Sequence, residues 1–218
     1  MAAVFSSISV LGASAVLLFG LMPLWRRSIR AHISAFAGQS LTLAGLTGAV
    51  GYFGGERELY LVAGLLLLIK GIGIPMLLRR MEVRFGTERE GEPYVNTATS
   101  ILISGLLVIL ATTITRPVVA LSQLPTRAGV PLAMALIFVS LFIVVSRKKA
   151  LTQAIGFLML ENGIGLLAVL GAYGLPLVVE LGVFLDLLLG LIVMQIFIYQ
   201  IHETFESIDV GQLSRLKE

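Results

Sequence analysis

Long apolar runs, separated by short clusters of arginine and lysine, constrain this chain more than any other feature. Residues 4–24, 95–115 and 129–146 hold no charged side chain at all, and each is close to 20 residues long. A helix needs about 20 apolar residues to cross the hydrocarbon core of a bilayer. Only helices and closed barrels satisfy their backbone groups there. Strand-period alternation is absent, so the expected fold is an all-α integral membrane protein.

Composition supports this reading. The 218 residues are 57% hydrophobic and 13% charged, with mean hydropathy +0.96, against roughly 25% charged in soluble domains. An ordinary cytosolic enzyme, a nucleic-acid-binding module and a disordered chain are excluded on that ground. There is no cysteine. A disulfide framework, thiolate-held metal, covalent haem and an iron–sulfur cluster ligated by this chain are therefore excluded too. No cofactor is expected.

The pattern predicts seven transmembrane helices at about 4–24, 31–53, 58–78, 95–115, 129–146, 150–172 and 177–200, with an amphipathic tail over 201–218. The first span has no positive region before it and no polar domain after it, so it reads as a retained helix rather than a signal peptide. The mixed charges of 79–92 read as a solvated loop. Twelve basic residues fall on one side of this layout, among them Arg26, Arg27, Arg30, Arg79, Arg80, Arg147, Lys148 and Lys149. The other side has three: Arg57, Arg116 and Arg127. By the positive-inside rule the N-terminus faces out and the C-terminus faces the cytoplasm.

Ionisable residues inside a span carry the functional argument, because each costs about 2.5–3.5 kcal/mol near the helix centre. Four stand there: Lys70, Glu161, Glu180 and Asp186. A structural reading pairs them to fix helix packing. A sharper one makes them a proton or ion relay, since a carboxyl group in a low-dielectric site titrates nearer neutrality and a neighbouring cation switches its preference. Lys70 is a candidate for that cation. Its helix has a soft spot at Gly71, Gly73 and Pro75, where the missing N–H of Pro75 leaves the Gly71 carbonyl without its helical partner. Asn162, Gln39, Ser40 and Gln195 are candidates to hydrogen-bond intervening water, or to join helices.

Other patterns are packing or solvated faces. The run from Gly163 through Gly165 to Ala168 matches a dinucleotide-binding pattern, but it lies within a span and follows no strand, so close packing explains it. His32 and His202 flank separate helices at the cytoplasmic boundary without further ligands, and no metal site is expected. Gln39 follows Arg27 by the spacing at which Glu161 follows Lys149, and Ser40 corresponds to Asn162. Spans one to three and five to seven are thus readable as parallel repeats joined by span four.

The stretch from Arg147, Lys148 and Lys149 through Leu160-Glu161-Asn162-Gly163 resembles the component E subunit of hydrogenase-4-type membrane-bound (group 4) hydrogenases. The likeness continues through Glu180 and Asp186 to Ile208-Asp209-Val210, and in the first half through Lys70, Pro75, Arg79 and Arg80. More distantly, residues 130–210 are similar to the K-type subunit of respiratory complex I. There Leu158 falls at the position of that family's first glutamate, with Glu161 one turn on, and Asp186 at the position of its second.

The resemblance implies a subunit of a prokaryotic inner-membrane complex. Its partners would be antiporter-like membrane subunits and a peripheral redox arm with nickel–iron and iron–sulfur centres. The chain would be non-catalytic and would contribute Glu161 and Asp186 to proton or Na⁺ translocation, with Lys70 and Glu180 as modulators or relay members. A purely structural subunit and a stand-alone secondary transporter are the alternatives.

Overall fold

The computed structural model describes residues 2–85, 94–173 and residue 190. The chain divides into two compact units, Met1–Gly182 and Val183–Glu218. The helices described below all belong to the first. The seventh expected span, its tail, and with them Glu180, Asp186, Gln195 and His202, lie outside the described residues.

Every regular element among the described residues is helical. They are α1 (Ala2–Leu21), α2 (Ile29–Gly54), α3 (Glu58–Leu65), a π-helical segment (Leu66–Gly73), α4 (Ile74–Phe85), α5 (Thr97–Leu121), α6 (Val130–Ser146) and α7 (Ala150–Ala172), with short 3₁₀ turns at Met22–Leu24 and Arg127–Gly129. Because α3, the π segment and α4 run on as one rod, six helices among the described residues are long and apolar enough to cross a membrane. The chain is a multi-pass membrane protein.

Local chemistry sets the ends of these elements. Pro23 converts the end of α1 into a 3₁₀ turn. Gly55 stops α2 in the left-handed conformation, φ 76°, where a Cβ would be strained. Asn96 caps α5 by accepting a bond from Thr99 N–H at 2.8 Å.

Two boundaries depart from the expected layout. The third rod continues past Leu78 to Phe85, so Arg79 and Arg80 ride on a helix rather than a loop. Glu82, expected in a solvated loop, is buried on α4 and pairs with Arg30 at 3.4 Å. The helix continues because α4, packed on α2, buries Pro75, Leu78 and Glu82 while Arg79 and Arg80 stay exposed. Likewise α5 runs through Arg116 and Pro117 to Leu121. One missing N–H does not stop a helix whose apolar sequence continues in a bilayer.

Helices α1 and α2 form one hairpin and α6 and α7 another, with α1 packed on α6 and α2 on α7. The core between them contains Ala13, Val16, Leu43, Leu46, Leu136, Leu166 and Leu170. Helix α5 packs on α6 and turns a row of large apolar side chains outward, among them Leu102, Leu106, Ile109 and Leu121. A row of this kind suits lipid or an apolar neighbour. Gly163 explains its own presence: a Cβ there would sit 3.1 Å from the backbone nitrogen of Ile137. That is helix packing, as its mid-span position requires, and not a nucleotide loop.

The basic connections meet at one end of the bundle. Arg147 is buried and donates from Nη2 to the carbonyls of Pro23 (2.7 Å) and Leu24 (3.4 Å), which the end of α1 leaves without helical donors. Tyr94 N–H donates to the Ser146 carbonyl at 3.1 Å, and the Lys148 ammonium lies 5.0 Å from the Tyr94 ring centre. Arg26, Arg27 and Lys148 remain exposed at this end.

Candidate ion-transfer site

Half-way along the bundle, where α1, α2, the π segment and α7 meet, the structure collects most of the polar groups that the sequence places inside spans. Lys70 Nζ lies 3.4 Å from Glu161 Oε1, with side chains only 5% and 9% exposed. At that burial the two charges are not screened as a surface pair would be, and each contributes to compensating the other. Sequence reasoning names both residues. Their meeting follows from the fold.

The π segment presents Lys70. The Ile74 N–H donates to the Ile69 carbonyl, a bond across five residues rather than four. Pro75 follows at once. At Gly71, Gly73 and Pro75, where the sequence marks a soft spot, the rod passes through in a wider turn. Continued one step, the same register assigns the donor missing at Pro75 to the Lys70 carbonyl instead of that of Gly71. Gly71 lets this segment close on α2: a Cβ there would lie 2.8 Å from Leu41 Cδ2. Gly73 is similarly tight against the Leu68 carbonyl, at 3.3 Å.

Next to Glu161, Asn162 turns toward α2. Its Nδ2 donates to Gln39 Oε1 and to Ser40 Oγ, both at 2.9 Å. Gln39 Nε2 in turn donates to the Val16 carbonyl of α1 at 3.4 Å. Gln39, Ser40 and Asn162 are all buried. They bond directly and join α7 to α2, the second of the two roles open to them in the sequence. Asn162 Oδ1 has no hydrogen-bond partner, which leaves one open acceptor beside the ion pair's own residue. The contact joins Gln39 and Ser40 to the residue that the proposed repeat sets opposite Ser40.

Besides Glu82, the buried groups Arg147 and His32 escaped the sequence reading. Arg147 counted only as one of the charges beyond a span, and nothing in its neighbours signals that it would turn inward. His32 looked like a boundary residue, yet it is fully buried in the first turns of α2. Its Nε2 is 2.7 Å from the Arg26 carbonyl. A carbonyl only accepts, so Nε2 carries the proton in that contact. Polar spacing on α2 was the available signal, since His32 precedes Gln39 by two helical turns.

Buried charge, direct polar contacts between helices and an outer surface of apolar side chains define the class: an integral membrane protein with an intramembrane ion pair. The comparisons narrow it. The chain is 36% identical over 215 residues to Uncharacterized protein Rv0085 of Mycobacterium tuberculosis, covering 98% of both proteins, and it belongs to the same family. It is also related, more distantly, to Hydrogenase-4 component E of Escherichia coli K12 and of Shigella flexneri. The identity there is 25% over 209 residues, covering 94% of this chain and 95% of the relative. No family model and no solved structure matches the chain.

Proposed function

We propose that this protein is a membrane-arm subunit of a group 4 hydrogenase-like or complex I-like energy-converting complex, in which Glu161 takes part in proton or Na⁺ translocation driven by redox chemistry on other subunits. The observation that carries the reading is the Lys70–Glu161 pair, buried half-way along the spanning helices. The relationship to hydrogenase-4 component E supports membership of such a complex. The chain itself is non-catalytic in this reading. Its partners are antiporter-like membrane subunits and a peripheral arm holding the nickel–iron and iron–sulfur centres, in a prokaryotic inner membrane with the basic end in the cytoplasm.

The pair suits such a task by simple electrostatics. With Lys70 in place the Glu161 carboxylate is compensated and gives up its proton. Withdraw the ammonium, and the same carboxylate in a low-dielectric site binds one. Small displacements of the π segment, driven by a neighbouring subunit, thus load and unload Glu161. Asp186 and Glu180 extend the relay beyond the described helices, with Gln195 as a supporting polar group. Spans one to three and five to seven then form parallel K-type-like repeats. The packing of α1 on α6 and α2 on α7 supports this pairing of the halves.

The test is a Glu161→Gln variant in the intact complex, isolated through a tag on this chain and reconstituted in vesicles. The expected result is normal co-purification of the partner subunits with ion pumping lost. Normal pumping by that variant overturns the carboxylate's role. A second reading is favoured by the same contacts: the ion pair and the Asn162–Gln39–Ser40 bonds act as a clamp holding α7 against α2. In that case Glu161→Gln lowers the yield of complex, and whatever assembles pumps normally.

A further inference from the structure

The group at the basic end that the ion-pair mechanism leaves unused is His32. It is 0% exposed and its Nε2 is committed to the Arg26 carbonyl. Its Nδ1 is buried with no hydrogen-bond partner. In this tautomer Nδ1 is an acceptor with an open lone pair. A buried imidazole of that kind is costly as mere packing, because an unsatisfied acceptor forfeits its hydration. Among the described residues, it is the buried side chain near this end whose ordinary titration falls in the physiological range.

Resting on the function proposed above, we infer that His32 is the proton-loading group on the cytoplasmic side of the Lys70–Glu161 pair. The step is a proton transfer: a water or hydronium O–H bond breaks, an N–H bond forms at Nδ1, and the resulting imidazolium releases a proton from either ring nitrogen.

Position supports the assignment. His32 lies under the short turn between α1 and α2, whose Arg26 and Arg27 are exposed. It is seven residues before Gln39, about 10 Å along the same face of α2. Gln39 bonds Asn162, the neighbour of Glu161. Between the two polar levels α2 and α7 contribute Phe36, Ile155 and Met159, all fully buried. This apolar stretch keeps the path closed at rest, and protons cross it only when turnover admits water.

The charged groups around the ring come from each element packed there. The Arg147 guanidinium, from the turn between α6 and α7, opposes a positive charge on the ring, so an imidazolium formed here passes its proton on readily. Arg30 and Glu82 pair at the same end of α2 and α4, with Arg79 and Arg80 exposed on α4. Lys148 and Lys149 precede α7. Among these neighbours only Glu82 is acidic, and it already faces Arg30. Among the described residues of this cluster, Nδ1 of His32 is an acceptor left open.

The experiment uses the complete complex in vesicles and follows pumping rate against cytoplasmic-side pH, from about 5.5 to 8.5, spanning the histidine range. Wild type, His32→Gln and Glu161→Gln are compared; the glutamine keeps an N–H for the Arg26 carbonyl but does not titrate. Wild-type pumping is expected to fall as that pH rises. His32→Gln is expected to retain the wild-type Tm, pump about tenfold more slowly or worse, and lose the pH dependence. A His32→Gln complex that pumps with the wild-type rate and profile overturns the inference while leaving the Glu161 reading intact. A wild-type rate that is flat across the range overturns it without any variant, which covers failure of His32→Gln to assemble. Unimpaired pumping by Glu161→Gln removes the underlying reading instead.

Discussion

At the scale of single residues, Lys70 and Glu161 are each tolerable because of the other. Replacing Lys70 with methionine takes the ion-pair partner from a buried carboxylate, a change that costs about 3–5 kcal/mol for a broken buried pair. Replacing both, as in Lys70→Met with Glu161→Leu, removes the charge along with its partner and is expected to recover most of that loss. A double-mutant cycle on the Tm of the detergent-solubilised protein checks this. Additive losses would mean that the pair is not coupled in the membrane protein. Asn162 behaves differently, because it is neutral and shares its donors between Gln39 and Ser40. Asn162→Leu strands both acceptors and is expected to destabilise by about 1–3 kcal/mol, read in the same melting experiment. The residue types at these positions were visible in the sequence, since polar side chains stand out within apolar spans. Burial of Arg147 was not visible, because a basic residue next to a span ordinarily stays in the headgroup region, and for His32 the signal was its spacing from Gln39 alone.

Among elements, the third rod departs most from its expected form. Hydropathy placed a helix there and Pro75 suggested a break, but hydropathy does not distinguish an i→i+4 ladder from an i→i+5 one. What separates them is where bonds are lost and how closely Gly71 lets the segment approach Leu41 of α2. Pro75→Ala restores the missing N–H and with it the option of regular α-helical bonding. The expected outcome is a π segment that tightens and turns Lys70 off its line to Glu161, so that the coupling energy in the double-mutant cycle shrinks. An unchanged coupling would show that side-chain packing alone holds the wider turn. The extension of α5 through Pro117 has the same lesson in simpler form: in apolar surroundings a proline removes one bond without ending the helix.

For the whole molecule, sidedness is open to direct measurement because the chain has no cysteine. Single cysteines replacing the exposed Arg27, Lys148 and Arg127 serve as reporters to a membrane-impermeant maleimide applied outside intact cells. Arg127→Cys is expected to label, while Arg27→Cys and Lys148→Cys label only after the membrane is opened. Labelling of all three from outside would reverse or break the expected orientation. Gathering of the basic connections at one end, with Arg147 bound to the carbonyls that close α1, is the structural basis of that expectation.

Taken alone, the sequence determined that this chain is an all-helical membrane protein, and which side chains are out of place in hydrocarbon. Those follow from transfer free energy, which sums along the chain and needs no knowledge of neighbours. Only the tertiary structure decided that Lys70 faces Glu161, that Asn162 bonds Gln39 and Ser40 directly, that Glu82 turns inward to Arg30, and that His32 is sealed from water. Helix rotation and register depend on how side-chain volumes interlock between distant segments, at contacts such as Gly71 on Leu41 and Gly163 on Ile137. Hydropathy is blind to that geometry, and so pairing across helices appears only when the helices are packed.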